Sequence, residues 1–432
     1  MKPVMSETRT AAIGAMIVVL GPISMSLYTP ALPALVAAFH TTPAMLKLTL
    51  SVYFFGFAFS QLACGPLSDA FGRRPTALGF FLIYLIGSVV AAFAPDITWL
   101  IIGRGLQGVG VAAGPAVSRA IVRDQFTGQP SARIMNLIAT MLAIGPAIAP
   151  TIGGAILSTL GWQPIFLVMV IYGLVLVALL ALFVPETNRA PDRAHAHPWR
   201  VVKNYRTLLS DPRFLRPSLI IGFTLGGIYT LAAILPFVLI DHIGLTPVQF
   251  GLAMICQTGS FMTGSLVTGR LLRRFKADAL IPVGLAIVLV AAAGMAVAIR
   301  IFPGSAVAAM LPVAVWAFGI ALLLPGGTTS ALSGFPHIAG AASAAMGFLQ
   351  IGGGLLGTTV ASAFSEPAEA FTIVIPGMAV AGLAAFALLR PRPAPGRAVR
   401  ISEPDLEIST DPAGLVGAAG DEIEAKVFRK TA

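Results

Sequence analysis

The chain has 432 residues, 56% of them hydrophobic and only 11% charged, with a mean hydropathy of +0.87. A soluble domain carries about 25% charged residues, so a water-soluble globule is excluded and most of the chain must sit in lipid. The net charge of +10 would suit a polyanion if spread over a soluble surface, but the basic residues are sorted by position along the chain, and nucleic acid is not an expected partner.

Crossing a bilayer takes about 20 apolar residues at about 1.5 Å rise each. Twelve runs meet that length: 10–36, 46–66, 76–94, 98–118, 134–158, 163–184, 217–240, 249–269, 279–301, 305–327, 339–363 and 370–389. The expected fold is an all-α membrane protein of twelve transmembrane helices. Continuous apolar runs of this kind do not alternate as barrel strands must. Residues 1–9 lead straight into the first run with no small-residue cleavage site, so that run reads as a membrane helix and not a removable signal.

The first run ends in Gly21-Pro22-Ile23-Ser24-Met25-Ser26-Leu27-Tyr28-Thr29-Pro30. Between the second and third lies Gly65-Pro66-Leu67-Ser68-Asp69-Ala70-Phe71-Gly72-Arg73-Arg74-Pro75. Gly65 and Gly72 permit close helix approach and a turn without a Cβ penalty. Asp69, at a helix end, can meet the partial positive charge of a neighbouring helix N-terminus. The fourth run holds Arg104-Gly105-Leu106-Gln107-Gly108-Val109-Gly110 and ends in Arg119, Arg123 and Asp124. An intramembrane arginine is costly and normally faces a cavity or a partner, while Gly108 and Gly110 favour close packing. Arg119, Arg123 and Asp124 also fit the end of the span as plain anchors. The fifth run carries Gly145, Pro146, Pro150, Gly153 and Gly154, which removes helix hydrogen bonds and side-chain bulk in one zone.

The segment 185–216 contains Arg189, Arg193, Arg200, Lys203, Arg206, Arg213 and Arg216 and divides six runs from six. His195 and His197 read as part of a solvated linker rather than a metal pair. Of the 28 Lys and Arg, only Lys47, Arg104 and Arg300 fall away from one side of the proposed spans. By the positive-inside rule that side is the cytoplasm and holds both termini. Expected units are residues 1–184 and 217–390 as six-helix halves, 185–216 as a cytoplasmic linker, and 391–432, rich in Pro and acidic residues, as a disordered tail. The halves repeat at an offset of 203 to 204: Leu32-Pro33 matches Leu235-Pro236, Thr42-Pro43 matches Thr246-Pro247, and Gly65 matches Gly269. Cys64 and Cys256 each fall in an apolar run without metal or disulfide spacing, and are expected to be buried small hydrophobes.

The 65–75 string resembles the loop 2–3 signature of the major facilitator superfamily, and the parallel repeat of two six-span halves is that superfamily's arrangement. The Arg104-x-x-Gln107-Gly108 string resembles a motif of its drug antiporters, implicated there in proton or substrate coupling. Gly145-Pro146…Gly153-Gly154 resembles their antiporter helix motif. With the span 1 ending and the late Gly334-Phe335-Pro336-His337-Ile338-Ala339-Gly340, the chain looks like the bicyclomycin/chloramphenicol-resistance (Bcr/CflA) branch of bacterial drug:proton antiporters. The resemblance implies that Gly65, Asp69, Gly72, Arg73 and Arg74 form a conformational latch. It implies that Ser26, Tyr28, Arg104, Gln107 and Asp124 are cavity or coupling candidates, and that helices 1, 4, 7 and 10 line the cavity. In the degenerate second copy Arg273 replaces the latch acid, and Ser26 stands where the branch usually has an aspartate.

Asp69, Asp124, Asp278, Asp96, Asp241, Glu366 and Glu369 all fall at span ends, and none near the midplane, which weakens the case for proton coupling. The other polar or aromatic residues within spans are Gln61, Tyr229, Gln257, Trp316 and Gln350. A few such groups in an apolar cavity suit amphiphilic molecules better than sugars. The expected function is secondary active efflux of small drug-like compounds by a monomer in a bacterial inner membrane, with protons as a candidate coupling ion. The alternatives are a facilitated-diffusion or uptake carrier for a metabolite, and a transport-dead sensor or scaffold. No nucleotide-binding loop, metal spacing or catalytic pair is present in the sequence, so neither a cofactor nor an enzyme activity is expected.

Overall fold

The computed structural model describes residues 3–188, 190–193, 197–335 and 338–389. His195, Pro336, His337 and the expected tail 391–432 lie outside the described residues. Twelve helices long and apolar enough to span a membrane run in order as spans 1 to 12. They are Glu7–Ala38, Pro43–Phe71, Arg73–Ala92, Ile97–Gln125, Gly128–Leu160, Gln163–Phe183, Pro212–His242, Pro247–Leu271, Ala277–Ile301, Ala306–Ser333, Ala339–Ser362 and Pro367–Leu388. Among the described residues there is no strand. The spans are all helical because lipid offers no partner to free backbone groups.

Local chemistry sets the helix ends. Thr42 caps span 2 by accepting from the Met45 N–H, with Pro43 in the first turn. At the equivalent position of the repeat, Thr246 and Gln249 form a reciprocal capping box at the start of span 8, with Pro247 in the first turn. The Asp96 carboxylate accepts from the Thr98 and Trp99 N–H groups and starts span 4. Gly72, at φ +104°, turns the chain between spans 2 and 3, a conformation that a side chain would strain. Span 1 is interrupted between Ser26 and Leu32 by a 3-10 turn at Thr29–Ala31. Span 4 is interrupted at Ala112, and span 7 ends in a π-helical segment, Phe237–His242.

Two large buried clusters carry the packing. One draws almost wholly on residues 5–184, among them Leu20, Phe54, Phe81 and Phe166, with Ala233, Phe237 and Ile351 added from the later spans. The other lies within residues 220–385 and centres on Trp316, Phe250 and Phe371. Large exposed apolar side chains such as Phe55, Ile171, Leu182 and Val290 point outward from these clusters, as expected where the outer solvent is hydrocarbon. This reverses one expectation. Cys64 is buried, but Cys256 is exposed, because an apolar run in a bilayer includes lipid-facing positions and hydrophobicity alone does not mark burial there.

The segment between spans 6 and 7 is not simply a solvated linker. Pro198–Ser210 forms a helix whose Leu208 joins Phe214, Phe335, Ala342 and Met346 in a small core. Its Tyr205 hydroxyl donates to the Leu62 carbonyl of span 2 at 2.7 Å. Burial pushes the Tyr205 phenol up, so it stays a neutral donor.

Candidate functional site: a cavity open at one end

The first six and last six spans meet closely at the end away from the 65–75 loop. There Lys47 of span 2, fully buried, donates to the Ala361 and Phe364 carbonyls at the end of span 11, each at 3.0 Å. One helical turn further in, the Ser51 hydroxyl donates to Thr358 at 2.9 Å. Spans 5 and 8 approach backbone to backbone. A Cβ on Gly154 would stand 2.3 Å from the Pro247 carbonyl oxygen, and one on Gly251 would stand 2.4 Å from the Thr151 Cα.

Toward the basic end the two sets of spans part around two chambers. The deeper has a volume of about 360 Å³ and a mostly apolar wall including Met25, Tyr53, Phe54, Phe57, Tyr229 and Met346. The outer, about 350 Å³, is lined by Asp69, Arg73, Arg119, Arg123, Ala339 and Gly340 among others. Gln61, Arg119, Met135 and Ser343 line both chambers, which join there. The walls come from spans 1, 2, 4, 5, 7 and 11, plus Asp69 and Arg73 at the turn between spans 2 and 3. Span 10 adds no residue to either chamber, unlike the expectation from resemblance. Its Trp316 instead turns into the second core, donating to the Thr224 carbonyl at 3.0 Å and packing on Gly227.

At the mouth the 65–75 residues form a polar cluster. Arg73 is 5% exposed; its Nε donates to Asp124 Oδ2 at 2.8 Å and its Nη1 to Ser68 Oγ at 2.9 Å and to Asp69 Oδ1. Asp124 thus belongs with the loop and not with Arg104. Glu186 completes the cluster: its carboxylate accepts from the Arg73 and Arg74 backbone N–H groups at 2.9 and 3.0 Å, capping span 3 where the helix dipole favours an anion. Arg74 turns away to the Leu180 and Ala181 carbonyls. Glu186 escaped the sequence reading; its signal is a lone acid just beyond span 6, facing a helix that opens Gly-Arg-Arg with no capping side chain. Gly65 has nothing within 4 Å of where a Cβ would stand, so in this conformation it faces the open mouth and not a packed helix. The degenerate copy ends differently: Arg273 is exposed, and Asp278 accepts from Ser330 instead.

Behind the deeper chamber lies a buried polar knot. Arg104 is 0% exposed, with its guanidinium carbon 4.7 and 4.3 Å from the Tyr28 and Tyr53 ring centres. Its Nη1 donates to Gln107 Oε1 at 2.6 Å, and Gln107 donates to Ser88 at 2.8 Å. Arg104 Nε and Nη2 have no partner among the described residues. Two aromatic faces supply cation–π attraction in place of a counter-ion. The tyrosines are pinned in turn, Tyr28 to Thr49 and Tyr53 to the Gly21 carbonyl, each at 2.9 Å. Ser26 is buried at the break in span 1 and its carbonyl accepts from Thr29. Gly108 and Gly110 permit this knot, since Cβ atoms there would reach the Tyr53 carbonyl and the Tyr84 backbone. In span 5, Gly145 and Gly153 lie against span 1 and Gly154 against span 8. Pro146 and Pro150 lie inside one continuous helix.

Twelve spans around a cavity open at one end define a membrane transporter. Residues 14–358 match the Major Facilitator Superfamily model, and the chain belongs to that superfamily. It is 31% identical over 347 residues to the uncharacterized MFS-type transporter YdgK of Bacillus subtilis, covering 80% of this chain and 85% of the relative. It is 25% identical to a bicyclomycin resistance protein homolog of Haemophilus influenzae, covering 86% and 94%. It is also 29% identical to the multidrug resistance protein MdtL of Escherichia coli, covering 79% and 85%. These relatives agree with the drug-transporter branch that the motifs resemble. Among solved structures it resembles a D-xylose-proton symporter, with a TM-score of 0.68 at 15% identity over 89% of this chain and 98% of that one. It also resembles an inward-facing bacterial homolog of the lysosomal transporter Spinster, with a TM-score of 0.65 at 17% identity over 88% and 95%. These likenesses are of fold.

Proposed function

We propose that the chain exports small amphiphilic drug-like compounds across the bacterial inner membrane by alternating access, working as a monomer with both termini in the cytoplasm. The observation that carries this reading is the mostly apolar cavity between the two sets of spans, reached from the basic end and sealed at the other by Lys47, Ser51 and the contacts of Gly154 with Pro247 and of Gly251 with Thr151. With the basic end cytoplasmic, this is an inward-facing state ready to load. The names of the resistance-protein relatives support the same substrate class. Residues 1–184 and 217–390 would rock against each other, with 185–216 as the connector and the Asp69–Arg73–Asp124–Glu186 cluster as the latch.

Proton coupling is weak or absent in this reading. Among the described residues no carboxylate lines the deeper chamber, and Ser26 supplies no group that changes charge at the break in span 1. That observation favours, as a second reading, a carrier running down its substrate gradient. Transport of a fluorescent amphiphile into everted vesicles, with and without a proton gradient, tests both movement and its coupling. Accumulation that collapses with a protonophore would overturn the weak-coupling reading, and absence of any movement would overturn export.

A further inference from the structure

We propose that the cavity selects amphiphilic organic anions, and that Arg119 is the residue that receives their acidic group. The inference rests on the reading of this cavity as the transport site. Arg119 lies six residues before the end of span 4, about 9 Å inside it. It is exposed, yet its surroundings are the junction of the two chambers, both of which it lines. Its Nε donates to the Pro115 carbonyl at 2.8 Å. That bond fixes the near edge of the guanidinium and leaves its two terminal nitrogens without a hydrogen-bond partner among the described residues.

The charges around it point the same way. Among the described residues the outer chamber is lined by three arginines, Arg73, Arg119 and Arg123, and one carboxylate, Asp69; Arg73 is offset by Asp69 and Asp124, which leaves Arg119 and Arg123 as the lining cations outside an ion pair. Asp69 is held by Arg73. Among the described residues Arg119 is the only formally charged one lining the deeper chamber, and behind the Tyr53 wall lies Arg104, whose Nε and Nη2 have no partner among them. An organic cation entering here meets Arg119 and Arg123 and, among the described lining residues, no carboxylate outside an ion pair. An anion meets a planar fork of donors suited to a carboxylate or sulfonate, between low-dielectric walls that strengthen the attraction. Gln61, 3% exposed and with an unpartnered Oε1, and the Ser343 hydroxyl complete the polar junction. Beyond it the aromatic and methionine wall takes an apolar body. Arg73 and Arg104 cannot serve in this place, the first being engaged with Ser68, Asp69 and Asp124 and the second sealed behind Tyr53.

The test uses three probes with one apolar body and different heads: dansylglycine (anionic), dansylglycinamide (neutral) and dansylethylenediamine (cationic), titrated by fluorescence onto the purified, reconstituted protein. Dansylglycine should bind about tenfold or more tightly than dansylethylenediamine, as one charge-assisted contact implies. Arg119→Gln should lose about tenfold for dansylglycine while dansylglycinamide changes less than about twofold, which also certifies the fold of the variant; Arg119→Lys should keep part of the preference. Failure of dansylglycine to outbind the cation on the native protein overturns the proposal, as does a preference that survives Arg119→Gln. Vesicle uptake of the same probes addresses the transport reading separately: charge-selective binding without movement refutes transport and leaves anion selection standing.

Discussion

Lys47 shows how much one residue can carry. As sequence it was an exception to the charge asymmetry; in the structure its buried ammonium holds the end of span 11 through two carbonyls, where the helix dipole favours a cation. Hydrogen bonds to a charged group contribute about 1.5–3 kcal/mol each, so Lys47→Met should shift the population toward outward opening by tenfold or more. In a background with Cys64 and Cys256 replaced by serine, Thr358→Cys should react faster with an impermeant thiol reagent when Lys47→Met is added. Equal rates would show that the contact does not hold the gate. Ser26 is the second case. Placing an acid at the span 1 break, two residues from the Ser24 carbonyl that accepts from Arg104, gives that break a titrating group. Ser26→Asp should give export a dependence on the proton gradient absent from the native protein, measured as protonophore sensitivity in everted vesicles.

Among elements, the spans and their order were legible because a bilayer demands a fixed apolar length, and the latch residues because a charged turn between two such runs stands out. Side-chain partners were not. That Asp124 answers Arg73, that Glu186 caps span 3 and that span 10 stays out of the cavity are outcomes of packing between segments far apart in the chain, on which hydropathy is silent. The glycines divide in the same way. Gly108 sits where a Cβ would stand 2.0 Å from the Tyr53 carbonyl oxygen, whereas Gly65 faces open space. Gly108→Ala should therefore destabilise by about 1–3 kcal/mol, the usual cost of overpacking, and lower the melting temperature. Gly65→Val should melt as the native protein does and yet transport slowly, because its crowding arises only when the mouth closes. Asp69→Asn should cut transport about tenfold or more at normal expression, and Arg273→Ala less than about twofold. Similar effects in uptake assays would remove the distinction between the two loops.

For the molecule as a whole, a cysteine beside Asp96 should react from outside intact cells, and one beside Arg200 only after permeabilisation; the reverse pattern would invert the topology. The direct backbone contact of spans 5 and 8 also bears on the speed of the cycle. Where glycines bring two main chains together, no side chains interlock, so turning one bundle on the other there requires no rotamer to repack. Such a contact, at the sealed end of the cavity, can part with little friction. In the proposed rocking cycle, resistance to the swing then resides in the Arg73 cluster at the mouth and the Lys47 clasp at the far end. Turnover should accordingly respond more to the strength of those two polar clusters than to the hydrophobic bulk of the halves they join.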